Sequence, residues 1–165
     1  MSAPTALALI GFMGCGKSVI GQLVASQLAV PYHDLDAMIE AHSGRSINEL
    51  FRRGEAEFRS LESELLPQAL QPGAVVALGG GAPLDDGNWA LIRARAVTVW
   101  LDAPIEVLLA RAEPESRPLL RGRSDHALRS LWEVRMARYQ EADYRVDATP
   151  PSPEVAAEVI KLWPG

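Results

Sequence analysis

Gly11-Phe12-Met13-Gly14-Cys15-Gly16-Lys17-Ser18 completes the pattern G-x-x-x-x-G-K-[ST], and its reading organises the rest of the chain. Glycines at these positions let the backbone curl until successive N–H groups point inward at phosphate oxygens, and the helix that follows adds its positive end. The flanks are those the motif requires. Ala6-Leu7-Ala8-Leu9-Ile10 is a short apolar run that reads as a buried strand. After Lys17 the period changes, with Ile20, Leu23, Val24, Gln27 and Leu28 spaced as one helical stripe. Lys17 can reach the β- and γ-phosphates of a nucleoside triphosphate, and the Ser18 hydroxyl can ligate Mg²⁺. Only one other lysine exists, Lys161.

Outward from this loop, Ala74–Leu78 and Ala96–Leu101 are further apolar runs of strand length, and Tyr144–Asp147 is a weaker one. Asp85–Ala94 reads as a short helix, and Glu154–Leu162 as a closing helix after a turn carrying Pro150, Pro151 and Pro153. Strands alternating with helices predict an α/β domain with a mostly parallel sheet. Two stretches break the alternation. Residues 36–70 read as consecutive helical segments without a strand, and residues 112–124, with two prolines and three arginines, read as a mobile loop.

The 165 residues suit one domain, and 48% hydrophobic with 22% charged residues is ordinary globular usage. A net charge of −5 argues against a nucleic-acid partner. Within that acidic chain, residues 110–139 hold seven arginines against four acids, a local excess suited to a small anionic ligand. One cysteine excludes an internal disulfide, no apolar run has the length of a membrane span, and the first residues lack the basic start of a signal peptide. The expectation is a cytoplasmic protein with no membrane partner.

Asp34-Leu35-Asp36, if more than a solvated acidic turn, separates a kinase from the GTPases and motor ATPases that also use a phosphate loop. On an extended segment, carboxylates two residues apart face one way. One would support the Mg²⁺ shell and the other would accept a proton from an attacking hydroxyl. Gly79-Gly80-Gly81 closes the run 74–78 where parallel sheets bind ligands, and glycine there permits close approach of the ligand to the backbone.

These segments, together with Gly44-Arg45-Ser46-Ile47-Asn48-Glu49-Leu50-Phe51, Gly54-Glu55-Ala56-Glu57-Phe58-Arg59, Arg117-Pro118-Leu119-Leu120, Arg135-x-x-x-Tyr139 and Ala142–Asp147, resemble the shikimate kinases over nearly the whole chain. The resemblance implies a phosphate-loop fold of the nucleoside-monophosphate-kinase type: a five-stranded parallel sheet in the order 2-3-1-4-5 flanked by helices. It also implies a substrate-binding insertion at about 34–63 and a lid at about 112–124. The implied reaction is ATP-dependent phosphorylation of the 3-hydroxyl of shikimate by a monomer.

By the same resemblance, Gly14, Cys15, Gly16, Lys17, Ser18, Val19, Arg111 and Arg117 bind ATP, with Arg111 stacking on adenine. Ser18 and Asp34 hold Mg²⁺. Asp36 binds substrate hydroxyls and is the base, while Arg59 and Arg135 grip the carboxylate with Gly79, Gly80 and Gly81 beside it. Lys17 and the lid residue Arg117 stabilise the transferring phosphoryl group. Glu62, three residues after Arg59, can pair with and orient it on a helix whose inward stripe is Phe58, Leu61, Leu65 and Ala69.

A gluconate kinase would share the phosphate loop but lack Phe58-Arg59, the triple glycine and Arg135. A nucleotide-binding module without catalysis would be expected to have lost Lys17, Asp36 or Arg117. His33, His42 and His126 have no ligand spacing. The tryptophans read as packing residues. Cys15, if exposed beside Lys17, would be open to oxidation.

Overall fold

The computed structural model describes residues 5–112 and 122–165. Five parallel strands, β1 (Ala6–Ile10), β2 (Tyr32–Asp34), β3 (Val75–Ala77), β4 (Ala96–Asp102) and β5 (Tyr144–Asp147), form one sheet in the order β2-β3-β1-β4-β5. This is the expected order. Leu7 pairs with Val75 on one side and Val97 on the other, placing β1 at the centre. All of β1 and β3 is buried, because helices cover both faces and no strand residue need be polar.

Helix α1 (Lys17–Leu28) lies on the sheet through Ile20, Gly21, Val24 and Ala25. The face is rotated from the stripe expected from sequence: Gln27 is exposed, while Gly21 is buried. A Cβ at Gly21 would lie 2.6 Å from the Tyr32 ring, so a residue without a side chain lets α1 settle against β2.

Between β2 and β3 run three helices, α2 (Leu35–Ser43), α3 (Ile47–Arg53) and α4 (Glu55–Ala69), matching the strand-free reading of this stretch. The starts of α2 and α3 are written locally. The Asp34 carboxylate accepts from the Ala37 N–H, and Ser46 and Glu49 form a reciprocal capping box. Helix α5 (Asp86–Arg95) is capped by Asp85, and α6 (Ile105–Arg111) follows β4.

Helix α7 (Asp125–Tyr139), which the sequence reading did not assign, starts at the Ser124 cap, and α8 (Ser152–Ile160) packs on α1. Asp143, between α7 and β5, ties that connection to β4. Its carboxylate accepts from the Thr98 N–H at 2.8 Å and the Thr98 hydroxyl at 2.9 Å, while its own N–H donates to that hydroxyl oxygen at 2.9 Å. Thr98 is wholly buried in β4, so these bonds satisfy polar groups that water cannot reach.

Candidate active site

The carboxyl ends of β1, β2 and β3 deliver the phosphate loop, Asp34 and the triple glycine to one edge of the sheet, around a cleft of about 450 Å³. Gly14 has φ +83°, and a Cβ there would collide with the Leu108 carbonyl of α6. Glycine at this position thus seats the phosphate loop on the helix that precedes the 112–124 segment. Lys17 Nζ donates to the Gly11 carbonyl at 2.6 Å and the Phe12 carbonyl at 3.4 Å, bending over its own loop. Cys15 is buried at 1% exposure with Sγ 3.7 Å from Lys17 Nζ, so its thiol is shielded, contrary to the exposed thiol considered from sequence.

Asp34 and Asp36 do line one cleft, but not as neighbours on a strand. Asp34 ends β2 and caps α2, and Asp36 stands in the first turn of that helix. Helix geometry, not strand alternation, aims the second carboxylate. Asp34 Oδ2 accepts from Ser18 Oγ at 2.9 Å and Tyr32 Oη at 3.3 Å. Burial, reinforced by the Asp34 charge, pushes the Tyr32 hydroxyl well above its ordinary range and keeps it a donor.

On the other wall, Arg59 of α4 is held on both sides. Its Nη1 donates to Glu62 Oε1 at 2.9 Å, as the spacing predicts, and Nε and Nη2 donate to Glu55 Oε1 at 3.3 and 3.1 Å. Burial works to lower the Arg59 pKa, but Glu62 and Glu55 overcome it and the net shift is upward. Glu62 is 1% exposed, and its Oε2 has no hydrogen-bond partner among the described residues. Burial pushes its carboxyl up to about 7, against the pull of Arg59 and with a further push from the Asp36 charge.

Arg135, on α7, is 3% exposed. Burial lowers its pKa, and the like charge of Arg59 adds to that, against a favourable interaction with Tyr139. Its guanidinium sits 5.7 Å from the centre of the Phe12 ring.

The triple glycine explains how these side chains meet. A Cβ on Gly79 would lie 3.0 Å from Asp36 Oδ1 and 3.1 Å from Glu62 Oε2. On Gly80 it would lie 2.7 Å from Arg135 Nη1, and on Gly81 2.6 Å from Arg59 Cζ. The turn is a bed for two guanidiniums and two carboxylates, so the approach that glycine permits here is made by the protein's own side chains. None of the three needs a left-handed backbone.

Arg111, at the end of α6, donates to the Ala148 and Thr149 carbonyls at 2.6 and 2.8 Å, tying the segment after β5 to the cleft that Pro150 and Pro151 also line. Val19 lines the cleft at the start of α1 and is exposed. Arg117 and most of the 112–124 loop lie outside the described residues. The sequence reading gave no role to Glu55, Tyr32 or Tyr139. Glu55 was findable, since it stands one helical turn before Arg59.

A model of the shikimate kinase family matches residues 13–163. The chain belongs to the shikimate kinase family. A shikimate kinase from Gloeobacter violaceus is 46% identical over 160 residues, covering 94% of this chain and 90% of that protein. Shikimate kinase from Aquifex aeolicus superposes with a TM-score of 0.84 at 35% identity, covering 94% of each chain. The Acinetobacter baumannii shikimate kinase in complex with shikimate gives a TM-score of 0.91 at 30% identity, covering 96% of this chain and 92% of that one.

Proposed function

We propose that this chain transfers the γ-phosphoryl group of ATP to the 3-hydroxyl of shikimate, with the residues above in the roles their geometry permits. One observation carries the substrate assignment. Arg59 and Arg135, from different helices, lie over consecutive residues of one glycine turn, with Asp36 against the residue before them. Two guanidiniums over neighbouring glycines suit a carboxylate, and the Asp36 carboxylate over the glycine before them suits the hydroxyls of a polyol.

Asp36 accepts the proton of the attacking hydroxyl, a contribution of about 10²–10⁴ in rate. Lys17, released from the Gly11 carbonyl, reaches the β- and γ-phosphates that the loop amides cradle. Arg117 closes over the transferring group from the 112–124 lid, and the helices between β2 and β3 serve as the substrate-binding insertion; both assignments rest on the family resemblance. Arg111 meets the adenine beside the loop it anchors.

Ser18 and Asp34 fit Mg²⁺. Their oxygens are already 2.9 Å apart. Among the described residues there is no group of three or more His, Cys, Asp or Glu that could hold a metal ion. When bound, Mg²⁺ would neutralise charge on the β- and γ-phosphates. No helix among the described residues is long and apolar enough to cross a membrane. Cytoplasmic action by a monomer belongs to the same proposal, supported for the compartment by a chain with a single cysteine.

The test is the identity of the product. Incubation with Mg-ATP and shikimate should give a phosphomonoester whose ³¹P signal couples to the ring proton at position 3. Coupling to another ring proton, or inorganic phosphate alone, would overturn the assignment.

A further inference from the structure

Two arginines face the substrate wall, and they are held in different ways. Arg59 has two carboxylate partners, Glu55 and Glu62. Arg135 has no ion pair among the described residues, its Nε is buried without a hydrogen-bond partner, and its one ring contact, with Phe12, is broad and undirected. A guanidinium that must meet a carboxylate in its own plane needs a directional constraint. The structure offers one.

Tyr139 stands one helical turn after Arg135 and is 1% exposed. Its ring packs at 6.2 Å from the Trp100 ring, and its hydroxyl donates to the Gly80 carbonyl at 2.6 Å. At Gly80 three elements converge: a Cβ there would lie 2.7 Å from Arg135 Nη1, 3.2 Å from Tyr139 Oη and 3.3 Å from the Gly11 carbonyl of the phosphate loop. We propose that Tyr139 is a positioning residue for substrate recognition, its hydroxyl holding the Gly80 carbonyl and the Arg135 guanidinium as one unit that fixes where the substrate carboxylate docks.

This rests on the reading of Arg135 as a carboxylate ligand. The packing of Tyr139 is provided by its ring, which phenylalanine would supply equally. The hydroxyl is the part that packing does not need, and without it the Gly80 carbonyl loses its buried donor. The acidity of the phenol plays no part, since burial pushes its pKa well above the ordinary value.

Wild-type turnover of shikimate is measured first, so that failure of the functional reading is seen separately. Tyr139→Phe should then raise the shikimate KM about tenfold, the loss of one buried directional bond, while the ATP KM stays within about twofold and kcat within about threefold. Trp100→Phe, which disturbs the ring's packing but keeps the hydroxyl, should leave the shikimate KM unchanged even if it lowers Tm. In a double-mutant cycle with Arg135→Lys, the two effects on shikimate KM should fall short of multiplying. The proposal is overturned by an unchanged shikimate KM in Tyr139→Phe, by equal increases in both KM values, by a Trp100→Phe effect as large as that of Tyr139→Phe, or by fully multiplicative effects in the cycle.

Discussion

Glu62 makes the stability of this protein depend on pH in a direction that most carboxylates oppose. Its carboxyl is pushed from the ordinary 4.5 to about 7, chiefly by burial. Between those values the folded chain binds a proton more tightly than the unfolded chain, so stability is greatest at the acid end and falls as pH rises, levelling off above about 7. A displacement of that size corresponds to about 3 kcal/mol across the window. Glu62→Gln keeps the shape and a hydrogen-bond acceptor for Arg59 while removing the titration. The assay is urea unfolding of wild type and variant at intervals from pH 4.5 to 8. Differences between the two curves cancel groups that titrate in both, including Glu106 and Asp147, whose lowered pKa values act at more acid pH. The wild type should lose about 3 kcal/mol relative to the variant on going from pH 4.5 to 7.5. Parallel curves would show that Glu62 titrates normally.

The same geometry has a consequence for binding. An anionic substrate entering beside Arg59 and Arg135 should raise the affinity of Glu62 for its proton, so shikimate binding near pH 7.5 takes up part of a proton. Calorimetry in two buffers of different ionisation enthalpy reads it, and identical apparent enthalpies would exclude it. Asp36→Asn should lower kcat by about 10²–10⁴ with ATP affinity intact, and near-normal turnover would remove Asp36 as the base. Arg59→Ala should raise the shikimate KM with little change in the ATP KM, and an unaltered shikimate KM would end its role as a carboxylate ligand. Asp143→Ala should destabilise the fold by about 2 kcal/mol through the unpaired groups on Thr98, measured as a shift in the urea midpoint.

What could be read from sequence was local. The phosphate loop is contiguous, and its strand and helix declare themselves by a change of period within a few residues. Glu62 and Arg59 sit three apart on one helix, so their pairing follows from helix geometry, and the structure reproduces it at 2.9 Å. Asp36 faces the cleft as expected but from a helix, because Asp34 caps that helix and ends the strand two residues before Asp36. Helix α7 escaped notice because only Leu128, Arg135 and Tyr139 are buried along it, too few to write an apolar stripe. Tyr139 was visible as part of a motif, but its partner lies 59 residues away, and no local pattern reports a contact closed by the fold. The triple glycine reads from sequence as a turn that permits close approach, whereas its crowding by Arg59, Arg135, Asp36 and Glu62 required the packing of three helices to be known.

The most direct test of the whole account is ADP release from Mg-ATP in a coupled assay, with shikimate, quinate and gluconate offered in parallel at fixed enzyme. Turnover should be confined largely to shikimate, the substrate expected from the paired guanidiniums and Asp36. Comparable or faster turnover of gluconate, or no turnover of any of the three, would contradict the substrate assignment while leaving the fold and the phosphate loop intact.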